Sequence, residues 1–202
     1  QKSAFDVVEW DYIFKTLNHF GIGETFLKWM KIFYKPGKVQ SSLSVNAYLS
    51  RFFPISRGLR QGCPLSPLLY VIVAETFANK IRTDRSIKGI SLAGSEIKMN
   101  HYADDMNFFV SDSNCIQKIF DHFEKYKRAC GAILNFEKTK ILKLGNNPNL
   151  SDKFRDFTAE RIKIYGITFN KNGFDPHANF EKVEPSIRKL LSMNPHSEFS
   201  LD

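Results

Sequence analysis

The sequence predicts an α+β fold in which an antiparallel sheet is covered by helices on one face. Apolar residues recur at three- and four-residue intervals in some stretches and alternate with polar ones in others. These stretches follow the order strand, helices, hairpin, buried helix, hairpin, helix, strands. The 202 residues suit one domain, or a domain plus a piece of another, and a hydrophobic content of 43% can build a real core.

Residues 1–8 read as a short strand and turn. Trp10, Ile13, Leu17 and Phe20 then repeat at helical spacing, with Gly21 as a stop. A second helix carries Phe26, Trp29, Ile32 and Phe33 and closes at Pro36-Gly37. From Val39 the period drops to two, and Asn46-Ala47 turns the chain into residues 48–55, an exposed hairpin. Ser66 as N-cap and Pro67 as first helical residue open a long helix. Leu68, Leu69, Ile72, Val73, Thr76, Phe77 and Ile81 give it a broad apolar face, so it should be buried.

Residues 97–110 alternate on both sides of Ala103-Asp104-Asp105, a second hairpin with two carboxylates at or near its tip. Ser113 caps a further helix, Ile116, Ile119, Phe120, Phe123, Tyr126 and Cys130 share one face, and Gly131 ends it. Ile133, Leu134 and Phe136, then Ile141, Leu142 and Leu144, read as strands. Residues 145–156 form a polar loop, 162–169 a last hairpin, and 179–191 a weak helix with Pro185 at its start or a kink.

The net charge is +8, from 29 Lys and Arg against 21 Asp and Glu, which makes polyanions the natural partners. The 19 Phe residues suit a packed core or surfaces on which bases stack. Cys63, Cys115 and Cys130 have neither metal-ligand spacing nor even pairing, which fits a reducing intracellular setting, nucleus or cytoplasm. No twenty-residue apolar span, signal peptide or lipidation signal points to a membrane. Gln1 opens mid-pattern without a Met, so the chain reads as a fragment.

The Asp104-Asp105 hairpin breaks its own turn rule, because its tip holds no Gly although tight hairpin turns favour positive φ. Adjacent carboxylates repel each other unless a cation sits between them, and magnesium prefers oxygen ligands. An isolated Asp-Asp pair is most often a solvated turn, so its context decides. That context is four separated blocks in order: Gln1-Lys2-Ser3-Ala4-Phe5, Arg57-Gly58-Leu59-Arg60-Gln61-Gly62-Cys63-Pro64-Leu65-Ser66-Pro67, Tyr102-Ala103-Asp104-Asp105, and Gly131 through Lys138-Thr139.

With these blocks the chain resembles the central part of a reverse transcriptase of the non-LTR, LINE-type retrotransposon class. The resemblance implies a right-hand polymerase, with residues 1–9 and 57–175 as palm, 10–56 as fingers-side helices and hairpin, and 176–202 as the start of the thumb. It implies two magnesium ions, or manganese in their place, with an RNA template, a DNA primer and dNTPs as partners. Asp104 would ligate both ions and Asp105 would play a secondary electrostatic or ligand role. Two cations about 3.5–4 Å apart can stabilise both the attacking and the leaving oxygen.

The resemblance implies further roles. In the first block the family's catalytic Asp falls immediately before Gln1, so the chain as given is expected to be inactive. Phe5 would be the steric gate against a ribose 2′-hydroxyl. Asp6, one residue past the aromatic and on the opposite strand face, takes no catalytic role. Gln61 and Gly62 would touch the incoming nucleotide and template, Gly62 through its bare backbone. Arg57 and Arg60 would contact phosphate or template, and Cys63 would pack. Lys138 would donate a proton to departing pyrophosphate. Tyr165 and Gly166, in Ile164-Tyr165-Gly166-Ile167, would grip the primer, although the family more often has Tyr-Leu-Gly there.

Viral RNA-dependent RNA polymerases share the palm but usually carry Gly in the place of Ala103 and a non-aromatic gate. Group II intron maturases, retrons and telomerases share it too, and the Arg57–Pro67 block with Ala103-Asp104-Asp105 fits the LINE class best. The competing reading from another class is a retroelement relic that folds and at most binds nucleic acid.

Overall fold

A computed structural model describes residues 3–145 and 150–192. The chain divides into two units, Gln1–Phe136 and Glu137–Asp202.

The first unit is built on a long helix. Its helices are α1 (Trp10–His19), α2 (Glu24–Phe33), α3 (Leu65–Thr83) and α4 (Asn114–Cys130). Its strands are β1 (Gln40–Ser41), β2 (Ser44–Val45), β3 (Tyr48–Leu49), β4 (Phe53–Pro54), β5 (Ile90–Leu92), β6 (Ser95–Ile97), β7 (Met99–Tyr102) and β8 (Asp105–Phe108). Helices α1 and α4 and strand β7 all pack on α3. Phe77 of α3 meets Phe108, Phe123 and Tyr126, and the Tyr12 and Thr76 hydroxyls hydrogen-bond at 2.7 Å.

The expected face of α3 is rotated. Tyr70, Ala74 and Ala78 are buried with Leu69, Val73, Phe77 and Ile81, whereas Leu68 is 63% exposed. The helix also begins at Leu65, so Ser66 is a buried first-turn residue and not the cap. Pro67 remains within the first turn, where no intrahelical N–H bond is required. At the other end the buried Lys98 ammonium donates to the Arg82 and Asp84 carbonyls at 3.0 and 2.8 Å. A cation there is favoured by the helix dipole, and it ties the β7–β8 hairpin to α3.

The exposed hairpin is present in two stages, β2–β3 around Asn46-Ala47 and β1–β4 below it. Helix α2 buries only Met30, leaving Trp29, Ile32 and Phe33 exposed. A further hairpin, β5–β6, turns at Ala93-Gly94 and was not among the expected elements. On α4 the Asn114 N–H is received by Asp112 Oδ1 at 2.9 Å and not by Ser113, while Gly131 closes the helix at φ +81° as expected.

The second unit holds a 3-10 helix (Asp152–Phe157), the three-stranded sheet β9 (Arg161–Ile164), β10 (Ile167–Asn170) and β11 (Gly173–Phe174), and helix α5 (Pro176–Ser192). The 3-10 helix lies within the expected loop, of which residues 146–149 fall outside the described residues. Helix α5 starts three residues before the expected Asn179, capped by Asp175 Oδ1 at 3.1 Å from the Ala178 N–H, and includes Pro185.

Helices and antiparallel sheet are therefore both present as expected, the sheet in separate pieces among the described residues. Among the described residues the strands form four two-stranded pairs and one three-stranded sheet. Residues 3–7 form turns, and Glu9 makes one bridge to Arg57. Ile133, Leu134 and Phe136 are not in a strand, and Ile141 makes a single bridge to Thr158. Apolar runs of two or three residues are too short to specify a ladder alone. Among the described residues no helix is long and apolar enough to cross a membrane.

Candidate active site

The site begins with a backbone clamp in the first unit. The Leu59 N–H donates to the Phe5 carbonyl at 2.7 Å, and Gly58 N–H to Val8 at 2.8 Å. Glu9 N–H donates to Cys130 at 3.0 Å, and Trp10 Nε1 to the Gly58 carbonyl at 2.8 Å. These bonds tie residues 5–10 to Gly58, Leu59 and the end of α4, while the Asp6 N–H closes a local turn on the Ser3 carbonyl at 3.0 Å.

The clamped segment presents Phe5 to a cleft of about 390 Å3. Phe5, Arg60, Gln61, Gly62 and Asp104 line it, together with Ser3, Ala4, Ser66 and Pro67. Five residues singled out in three separate parts of the sequence thus converge. Gly62 has φ +81° with open space where a Cβ would be, so its need for glycine is conformational. Gln61 Nε2 donates to Asp6 Oδ1 at 3.1 Å. Asp6 is not a lining residue; it orients one.

Asp104 enters the cleft from the turn between β7 and β8, where Tyr102 pairs with Asp105. Positive φ falls on Ala103 at +50° and not on Asp104, the pattern of a type II′ turn with alanine in the usual glycine position. Alanine in the left-handed region costs about 1–2 kcal/mol, and such strain clusters at functional sites. His101 Nε2 donates to the Ala103 carbonyl at 2.5 Å and braces the turn. Asp105 is exposed and outside the lining, as alternation along a strand requires.

Behind Phe5 stands Tyr70, which the sequence reading missed. The rings stack at 4.7 Å with 18° between planes. Burial raises the Tyr70 phenol well above its ordinary pKa, and the negative charge of Asp104 pushes the same way.

Arg57 stands apart from the cleft, its Nη1 3.6 Å from Glu9 Oε1 in a half-exposed pair. Cys63 is partly buried, and the Leu65 N–H lowers its thiol below the usual range. In the second unit Lys138 is an exposed turn residue. Tyr165 and Gly166, at φ +50° and +90°, form the two-residue turn joining β9 to β10. Lys182 Nζ donates to the Gly166 carbonyl at 3.2 Å, and Asn179 bonds both the N–H and the carbonyl of Thr168, at 2.8 and 2.9 Å.

Residues 1–169 match the family of reverse transcriptases, RNA-dependent DNA polymerases. The chain belongs to that family. This reverse transcriptase domain is 28% identical over 197 residues to the transposon TX1 uncharacterized 149 kDa protein of Xenopus laevis, covering 95% of the chain and 15% of the relative. It is 27% identical over 145 residues to the retrovirus-related Pol polyprotein from the type-2 retrotransposable element R2DM of Drosophila melanogaster, covering 72% of the chain and 13% of that protein. Both relatives are transposable-element proteins by name, in line with the LINE-type resemblance, and the chain spans about a seventh of their length.

Proposed function

We propose that the protein bearing this domain is an RNA-directed DNA polymerase of a retrotransposon, working inside the cell, in the nucleus or the cytoplasm. It joins dNTPs to the 3′-hydroxyl of a DNA primer on an RNA template. The observation that carries the reading is the convergence of Phe5, Gln61, Gly62 and Asp104 on one cleft. In this reading residues 1–9 and 57–175 are palm, 10–56 lie on the fingers side, and 176–202 begin the thumb.

The donor set suits magnesium, which binds through one or two carboxylates completed by substrate phosphates and water. Asp104 in the cleft, with Asp105 next to it in the chain, supplies such oxygens; manganese accepts the same ligands. Among the described residues no group of three or more His, Cys, Asp or Glu side chains is placed to hold a metal. When bound, the ions neutralise charge developing on the phosphoryl oxygens. The protein's own residues then do the remaining work. Phe5 closes the space a ribose 2′-hydroxyl would need, while Gln61, oriented by Asp6, and the bare backbone of Gly62 receive the nucleotide and template. Arg60 binds phosphate, and Arg57 reaches a strand only by leaving Glu9. Lys138 donates the proton to pyrophosphate, and Tyr165-Gly166 grips the primer.

The test is primer extension on RNA with magnesium by the full-length protein. Extension that is lost in Asp104→Ala supports the reading, and equal activity of that variant overturns it. A full-length protein that binds primed RNA and never extends it is the relic.

A further inference from the structure

We propose that Tyr70 fixes the Phe5 ring against the cleft and thereby sets how strongly the site excludes a ribose 2′-hydroxyl. This rests on the reading of Phe5 as the gate and names the residue that holds that gate in place.

Phe5 sits on a turn, where no strand ladder holds it. The Leu59 N–H fixes its backbone, but a hydrogen bond to a carbonyl does not fix a ring. What lies behind the ring has to do so. Tyr70 presents a nearly parallel face there, 4.7 Å away and 18° inclined. Exclusion of one hydroxyl group depends on a wall that does not yield, since hydrophobic pockets reject an added hydroxyl only weakly by themselves.

Tyr70 is itself immobile. It is 1% exposed and lies on α3, the helix on which the core of this unit is assembled. Its neighbours Leu69, Val73 and Ala74 are also buried. A tyrosine has few rotamers to lose, so the stack carries the rigidity of the core to the cleft wall. Tyr70 is a positioning residue: it lies outside the cleft lining and acts through Phe5.

The experiment measures kcat/KM for a dNTP and the matching rNTP in the full-length protein. Their ratio is independent of the folded fraction, because both substrates meet the same preparation. Tyr70→Leu and Tyr70→Met remove the ring at little change in burial, and each is expected to lower the dNTP preference about threefold to tenfold, the size of one lost aromatic pair. Tyr70→Phe keeps the stack and is expected to keep the preference. An unchanged ratio in either ring-less variant, while Phe5→Val lowers it, overturns the role of Tyr70 and leaves the gate standing. A ratio that Phe5→Val fails to move overturns the gate itself. A loss in Tyr70→Phe equal to that in Tyr70→Leu assigns the effect to the hydroxyl and overturns the stacking argument. A fluorine label on the Phe5 ring of the parent protein gives a second readout without a core substitution. Slow ring flipping is expected, and free rotation overturns the proposal.

Discussion

Gly58 lies so close to the backbone of Asp6 that a Cβ on it would stand 2.7 Å from the Asp6 carbonyl oxygen. Its φ of +90° is also a conformation that other residues adopt at a cost. Both constraints act where the Arg57–Pro67 block grips the Phe5 segment. Gly62, four residues on, has the positive φ alone. Gly58→Ala should therefore destabilise the domain by about 3 kcal/mol and Gly62→Ala by about 1 kcal/mol. Urea denaturation of the two variants measures the difference; equal losses would contradict the close approach.

Asp6 carries a prediction of a different kind. Its carboxylate accepts from Gln61 and lies outside the cleft lining. Asp6→Asn still offers an amide oxygen to Gln61, so primer extension should fall no more than about threefold, consistent with a weakened exposed hydrogen bond. Asp6→Ala should cost somewhat more, chiefly in KM. A collapse of kcat in Asp6→Asn comparable to that of Asp104→Ala would make Asp6 a metal ligand and refute its role as an orienting residue.

The parts of the site that were legible in the sequence were the parts with distinctive chemistry. Asp104, Gln61, Gly62, Arg60 and Phe5 stand in recognisable blocks, and the cleft gathers all five. Tyr70 was not legible, because α3 is apolar around most of its circumference and the spacing of its apolar residues does not select a face. Of the strand and turn expected over residues 1–8, residues 3–7 form the turn, closed by the Asp6 N–H on the Ser3 carbonyl at 3.0 Å, while the Phe5 and Val8 carbonyls are taken by Leu59 and Gly58, partners some fifty residues away that no local pattern reveals. The antiparallel sheet is divided into short pieces for a related reason: strands of two to four residues leave pairing to tertiary context. Long amphipathic elements fared best. Helices α1 and α4 and the hairpin at Asp104 lie within a residue or two of where periodicity put them.

Lys98 links the Asp104 hairpin to the C-terminus of α3. Its buried ammonium serves the Arg82 and Asp84 carbonyls and lies 3.5 Å from Glu96 Oε2. Lys98→Met keeps the stem and removes the charge, taking this donor from the Arg82 carbonyl and leaving the Asp84 carbonyl with the Ile87 N–H at 3.2 Å. A loss of about 2–4 kcal/mol is expected, the range for stripping one partner from a buried polar group. Hydrogen exchange should quicken at the last turn of α3 and along β7. A change confined to β5–β6 would mean that the contact to Glu96 matters more than the helix end.

Acid sensitivity should centre on Asp84. Its Oδ2 lies 2.7 Å from His122 Nε2 and its Oδ1 accepts the Ser86 N–H at 2.8 Å. The bond to His122 first, and those to Ser86 next, hold the carboxyl well below the usual carboxylate range. A group whose folded pKa is depressed adds stability that is fully present above its unfolded value, about 4, and is lost as pH falls through that value towards the folded one. In Asp84→Asn the Ser86 contact survives through the amide oxygen, while the charge-dependent part disappears. The variant should thus be less stable than the parent at pH 7, and the gap should close as pH is lowered from about 5 to about 2. Denaturation midpoints of both proteins across that range provide the measurement. A gap that stays constant with pH would show that the His122–Asp84 contact contributes shape and not charge.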